Sequence, residues 1–85
     1  MAAMRVKVLY FAVLRELTGR DEEWHELPEG VATVADFSRW LEGQRAELGG
    51  RLGSVRVARN ERFAAPGEAI AAGDVLAMIP PVAGG

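Results

Sequence analysis

The chain has 85 residues, 49% of them apolar and 26% charged, the composition of a folded globule rather than a disordered segment. A net charge of -2 sets up no basic field toward nucleic acid or an anionic membrane, and the lack of cysteine excludes disulfides, thiolate metal sites and cysteine nucleophiles. A single histidine, His25, supports neither a metal-ligand spacing nor a Ser/His/Asp set.

Met4 to Tyr10 alternates: Met4, Val6, Val8 and Tyr10 share one face, Arg5, Lys7 and Leu9 the other. This period of two, with β-branched residues, predicts a half-buried strand inside a sheet. The run Met4–Leu14 does not read as a signal peptide, because Lys7 interrupts it and Arg15 and Glu16 follow at once. No segment approaches the ~20 apolar residues of a membrane span. "AVLRELTG" predicts one or two helical turns over 13–18, stopped by Gly19. "DEEWHEL" alternates loosely up to Pro28 and predicts a short edge strand, with Trp24 and His25 in packing or solvent-facing roles.

Thr33 followed three residues later by Asp36 approximates a capping box. Val34, Phe37, Leu41 and Leu48 fall at helical spacing, with Trp40 at the border of the stripe, and Gly49-Gly50 closes the element. One long helix from Thr33 to that glycine pair is the expectation. Val55 and Val57 flank Arg56 in a third strand, and Asn60-Glu61, Pro66-Gly67 and Ala72-Gly73-Asp74 mark turns. The last turn launches a final strand, "VLAMI". The order strand, short helix, strand, long helix, strand, turn-rich stretch, strand predicts an α+β fold: a small mixed sheet with one main helix across it. The strongly apolar first and last strands suit neighbouring central positions. A chain this short, burying roughly two thirds of its unfolded surface, is read as one domain over residues 1–85. Its core spans 4–79 and its tail 80–85.

The chain ends "IPPVAGG". Pro80 and Pro81 fix φ near -65° and donate no hydrogen bond, so strand pairing stops at about Ile79. Beyond Val82 and Ala83, Gly84 and Gly85 carry no side chain and leave a terminal carboxylate sterically bare. A carboxylate is a poor electrophile and needs activation, for example as an acyl-adenylate, inside a narrow enzyme channel. In a cysteine-free chain, the terminal carbonyl carbon is the credible point to attach sulfur. The plainer alternative is an idle, disordered end.

"MRVKVLYFAVLRELTG", "LPEGVATVADF", "VARNERF" and "GDVLAMIPPVAGG" together resemble the small, sulfur-carrier subunits of molybdopterin synthase, from about Met4 to Gly85. The resemblance implies a ubiquitin-like β-grasp fold. It implies that a ubiquitin-activating-type enzyme adenylates Gly85 with ATP and that a sulfur-relay protein converts it to a thiocarboxylate. The tail then enters the active site of the large catalytic subunit, usually in a heterotetramer, and sulfur passes to a pyranopterin precursor. On this resemblance Gly84 and Gly85 are the carrier terminus and Pro80, Pro81, Val82 and Ala83 position it. Phe11, Phe63 and Ile79 match an apolar docking patch on the sheet. Such a subunit is not an enzyme on its own and holds no stable cofactor. Phe11 has the opposite parity from Val6, Val8 and Tyr10, which favours the interface; for Phe63 and Ile79, core and interface stand level. Thiazole-forming carriers share the fold and the Gly-Gly end but usually lack the "LRELTG" segment. They, a tRNA-thiolation carrier and a ubiquitin-like modifier joined to lysines are the alternatives.

The remaining signals carry less. Arg45, Arg51, Arg56, Arg59 and Arg62 crowd the middle of the chain and read as a solvated face, since no aromatic ladder accompanies them for nucleic acid. "GGRLG" at 49–53 is loop-like and lacks the lysine of a phosphate loop. The cysteine-free composition fits a reducing cytoplasm.

Overall fold

In the computed structural model, which describes residues 4–81, the elements follow the polypeptide as β1 (Met4–Tyr10), α1 (Val13–Thr18), β2 (Glu22–Leu27), α2 (Val34–Gln44), 3-10 turns at Ala46–Leu48 and Leu52–Ser54, β3 (Arg56–Arg59), β4 (Arg62–Phe63) and β5 (Val75–Ile79). The sheet order is β2-β1-β5-β3-β4. β1 and β5 pair in parallel, and the other pairs are antiparallel. The two most apolar strands are therefore neighbours, and β2 lies at an edge.

The alternation of β1 sorts its side chains as read: Val6, Val8 and Tyr10 are buried, and Arg5 is exposed. Their buried face meets Val57, Leu76 and Met78 from β3 and β5, and Val34, Phe37 and Leu41 from α2. Each fully buried Leu or Phe in such a layer stabilises the fold by about 1.5–3 kcal/mol. α1 is short because Gly19, in the left-handed region at φ 71°, donates its N–H to the Arg15 carbonyl and closes the turn.

The start of α2 is fully accounted for. Thr33 Oγ1 accepts from the Asp36 N–H, and the Asp36 carboxylate accepts from the Thr33 N–H in return. The Val34 and Ala35 N–H groups donate to the carbonyls of Glu68 and Pro66. The expected capping box is present, and the excursion between β4 and β5 supplies the remaining acceptors.

Three expectations need correction. The helix ends at Gln44, not at Gly49-Gly50: Arg45 is extended, and Leu48 reaches the core from a separate 3-10 turn. Gly43 weakens the last turn, and the Arg45 side chain leaves to bind Glu23 on β2. The turn-rich stretch hides a fifth strand, β4, and the 49–53 loop leads into a 3-10 turn that buries Leu52. The five arginines are not one solvated face, because Arg45 pairs with Glu23 and Glu47, and Arg59 with Asp74 and Glu68.

Ala12, between β1 and α1, has φ 51° and ψ -128°, a region suited to glycine. The Leu14 N–H closes this turn on the Phe11 carbonyl at 3.0 Å. Holding alanine there costs on the order of 1 kcal/mol. Ala12→Gly is therefore expected to raise the melting temperature by about 4–8 °C; a thermal melt of the variant that falls below the parent would contradict this strain.

Candidate functional site

The sheet face turned away from α2 carries a groove of about 640 Å³. Its floor follows from register. Leu9 pairs with Ala77, Ala77 with Ala58, and Ala58 with Phe63, so one row crosses four strands on the same face. Two alanines at the middle of that row leave space between larger neighbours. Phe11, Phe63 and Ile79, the three positions singled out for docking, stand together around this space, with Val75 also lining it. Phe11 is 43% exposed and Phe63 57%, so neither belongs to the core, while Ile79 is half-buried.

The wall that presents Phe63 is held from behind. Asn60 and Glu61 both have positive φ, 52° and 72°, the backbone of a two-residue hairpin turn that matches strand twist. Asn60 Nδ2 donates to Asp74 at 2.9 Å, and Asn60 Oδ1 accepts from the Val75 N–H at 2.9 Å. Asp74 is buried and accepts further from Arg59 Nε at 2.6 Å and the Ala71 N–H at 2.7 Å. Burial alone would raise the Asp74 pKa; the donors from Arg59, Asn60 and Ala71 outweigh it and hold the carboxyl below its usual range. The β3–β4 hairpin is thereby bolted to the start of β5.

A second polar cluster lies on the core side. Glu23 accepts from Arg45 and from the Tyr10 hydroxyl; Arg20 Nε lies 3.7 Å from it as an ion pair, and the His25 Nε2 stands 2.9 Å away. His25 packs edge-on against Trp40, the packing role expected of it. Trp24, its neighbour on the other parity, is 48% exposed on the groove face. Among the described residues no group of three or more acidic or histidine side chains could hold a metal ion, and no helix is long and apolar enough to cross a membrane.

β5 closes at Ile79, in the groove wall, and Pro80 and Pro81 follow at once. The two prolines line a cleft with Val13, Leu14, Arg51 and Ser54. The chain thus leaves the sheet from the rim of the apolar face. The carrier residues expected from the sequence, Val82, Ala83, Gly84 and Gly85, lie outside the described residues.

Parity singles out Phe11, and Phe63 and Ile79 enter only through the resemblance; Leu9, Ala58, Val75 and Ala77 are not singled out. Leu9 was legible by parity with Arg5 and Lys7; the others depend on cross-strand register.

A five-stranded mixed sheet of this order with one long helix across one face defines a ubiquitin-like β-grasp protein. The ThiS family profile matches residues 8–85. The molybdopterin synthase sulfur carrier subunit of Chlamydomonas reinhardtii is 36% identical over 84 residues, 96% of this chain and 100% of that one. Small archaeal modifier protein 1 of Haloferax volcanii is 40% identical over 83 residues, 88% of this chain and 94% of that one. Among solved structures, a putative molybdopterin converting factor subunit 1 from Pyrococcus furiosus superposes with a TM-score of 0.81 at 35% identity, over 94% of this chain and 100% of that one. The chain belongs to the ThiS family.

Proposed function

We propose that this protein is the sulfur-carrying small subunit of a molybdopterin synthase, with Gly85 as the reacting residue. The observation that carries this reading is the full-length similarity to a carrier of that name, joined to an apolar face from whose rim the Pro80-Pro81 stem departs. The chemistry balances in three steps. The Gly85 carboxylate attacks the α-phosphorus of ATP on an adenylating enzyme and pyrophosphate leaves. The terminal sulfur of a relay protein's persulfide attacks the acyl carbon and AMP leaves, giving an acyl disulfide. A second thiol of the relay protein then attacks the persulfide's inner sulfur; the S–S bond breaks, a disulfide forms on the relay protein, and the thiocarboxylate leaves with the electron pair. The large subunit of the synthase grips the groove face, and the tail delivers sulfur to a pyranopterin precursor in that subunit's active site. The chain binds no cofactor stably and works in the cytoplasm, where its cysteine-free composition is at home.

The test is an intact mass after incubation with the activating enzyme, ATP and a sulfide source. The expected product is heavier by the exchange of one oxygen for one sulfur. An unchanged mass with a competent enzyme would count against the proposal. The similarity to an archaeal modifier favours a second reading, in which the same acyl-adenylate acylates lysines of other proteins. Heavier conjugates in cell extract that vanish on deletion of Gly85 would favour it.

Docking gives a separable prediction. Phe11→Ala is expected to weaken binding to the large subunit about tenfold or more, while the melting temperature moves by no more than about 2–4 °C. Calorimetry and thermal melts on one preparation decide this. A collapsed melt with normal binding would make Phe11 a structural residue.

A further inference from the structure

The groove face is bracketed by two aromatic rings, each topped by an arginine. At one end the Arg56 guanidinium lies 3.9 Å from the Phe63 ring centroid. At the other, on β2, the Arg5 guanidinium lies 4.6 Å from the Trp24 ring, and the Lys7 ammonium 6.0 Å from it. Trp24 pairs with Lys7, which pairs with Val75 in the groove lining, so ring and groove are continuous. β2 and β4 are the outer strands, so the two capped rings lie four inter-strand steps apart, about 19 Å across the sheet, with Trp24 in the Lys7 row and Phe63 in the Leu9 row.

Arg5 and Arg56 are both exposed, and neither makes an ion pair with a carboxylate among the described residues. Lys7 by contrast is satisfied by Glu22 at 3.0 Å. A guanidinium stacked on a ring uses its face. Its in-plane N–H donors stay free for a carboxylate, and stacking already restricts the side chain, so less freedom is lost on binding. A polyanion is a poorer occupant, because the chain is net negative, Glu61 lines the groove and Glu26 stands opposite Arg5 in the β1–β2 register.

We infer that the groove face, with Arg5 on Trp24 and Arg56 on Phe63 at its two ends, binds a partner surface presenting an apolar protrusion flanked on both sides by carboxylates. The inference rests on the carrier reading, in that the large synthase subunit is the partner that bears this surface. Charge at the rim then sets encounter and register, while the groove supplies contact area.

The test is calorimetric binding of the full chain to that large subunit at about 50 and about 500 mM NaCl, where screening shortens from beyond 10 Å to a few Å. R5Q/R56Q is expected to weaken binding about tenfold at low salt and far less at high salt. R5K/R56K, which keeps charge but not the planar fork, falls between. Thermal melts equal to the parent's show that both variants fold. If the parent binds equally at both salts and R5Q/R56Q binds as the parent does, the inference is overturned while the carrier reading stands. If the parent binds at neither salt, both fall. If sedimentation shows the parent dimerising and R5Q/R56Q monomeric, the face belongs to a second copy of this chain, which also overturns the assignment.

Discussion

A chain shortened by Gly84 and Gly85 is expected to melt with the parent and to carry no sulfur. The elements that build the core close at Ile79, and the buried set runs from Val6 to Met78, so the deletion removes no core side chain. Its whole effect falls on chemistry. A chain ending at Ala83 carries a methyl beside the carboxylate and is two residues shorter, and a channel that admits a glycine pair discriminates against both changes. Extension past Gly85 should have the same outcome, because the acyl carbon would be locked in an amide. The readout is intact mass after incubation with the activating enzyme, ATP and sulfide, paired with a thermal melt. Loss of the thiocarboxylate to the detection limit with an unshifted melt is the expected pair. A truncated chain that still restores cofactor production in cells would make the tail idle and remove the proposed function.

What could be read from the sequence is what is local. The parity of β1, the Thr33/Asp36 box, the Asn60-Glu61 turn and the arrest of β5 at two prolines each depend on residues within a few positions of one another. The misreadings all depend on residues far apart. Leu48 sits seven residues after Leu41, so spacing continued the helix; what stops it is Arg45 reaching Glu23, 22 residues upstream. β4 is two residues long and shows no alternation, and it exists because Ala58 and Arg59 pair with it. The groove was half legible for the same reason. Outward parity flagged Phe11, but the two alanines that hollow the face become neighbours only through the β5–β3 register. Neither arginine–aromatic stack could be anticipated, since Arg5 and Trp24 lie on different strands and Arg56 meets Phe63 across a hairpin.

A large stability effect is expected at Glu23. Its side chain is 10% exposed, and it is the shared acceptor for Arg45 and the Tyr10 hydroxyl, with Arg20 Nε 3.7 Å and His25 Nε2 2.9 Å away. Burial by itself would raise its pKa; hydrogen bonds from Arg45 and Tyr10, with the imidazole alongside, outweigh that and bring it from 4.5 to about 2. Burial and the Glu23 carboxylate push the Tyr10 phenol upward, so it remains a donor. Glu23→Ala leaves the half-buried Arg45 guanidinium with Glu47 alone, at 3.6 Å, and strands the Tyr10 hydroxyl. The cost is about 2–4 kcal/mol, less than for a fully dry pair because Arg45 keeps some water contact. For a domain of this size that lowers the melting temperature by roughly 10–20 °C. The pH dependence has a definite sign. A carboxyl whose folded pKa is depressed contributes stability above its unfolded pKa and loses it as pH falls toward the folded value. The parent should therefore lose this contribution between pH 4.5 and about 2. Asp36 and Asp74 are also depressed and contribute to the same acid limb. Glu23→Gln should flatten that limb without abolishing it, and should start from a lower melting temperature at neutral pH. Melts of parent and variant across this range measure both. A Glu23→Gln chain that tracks the parent at every pH would show that the cluster is ornamental, and that Arg45 leaves the helix for some other reason.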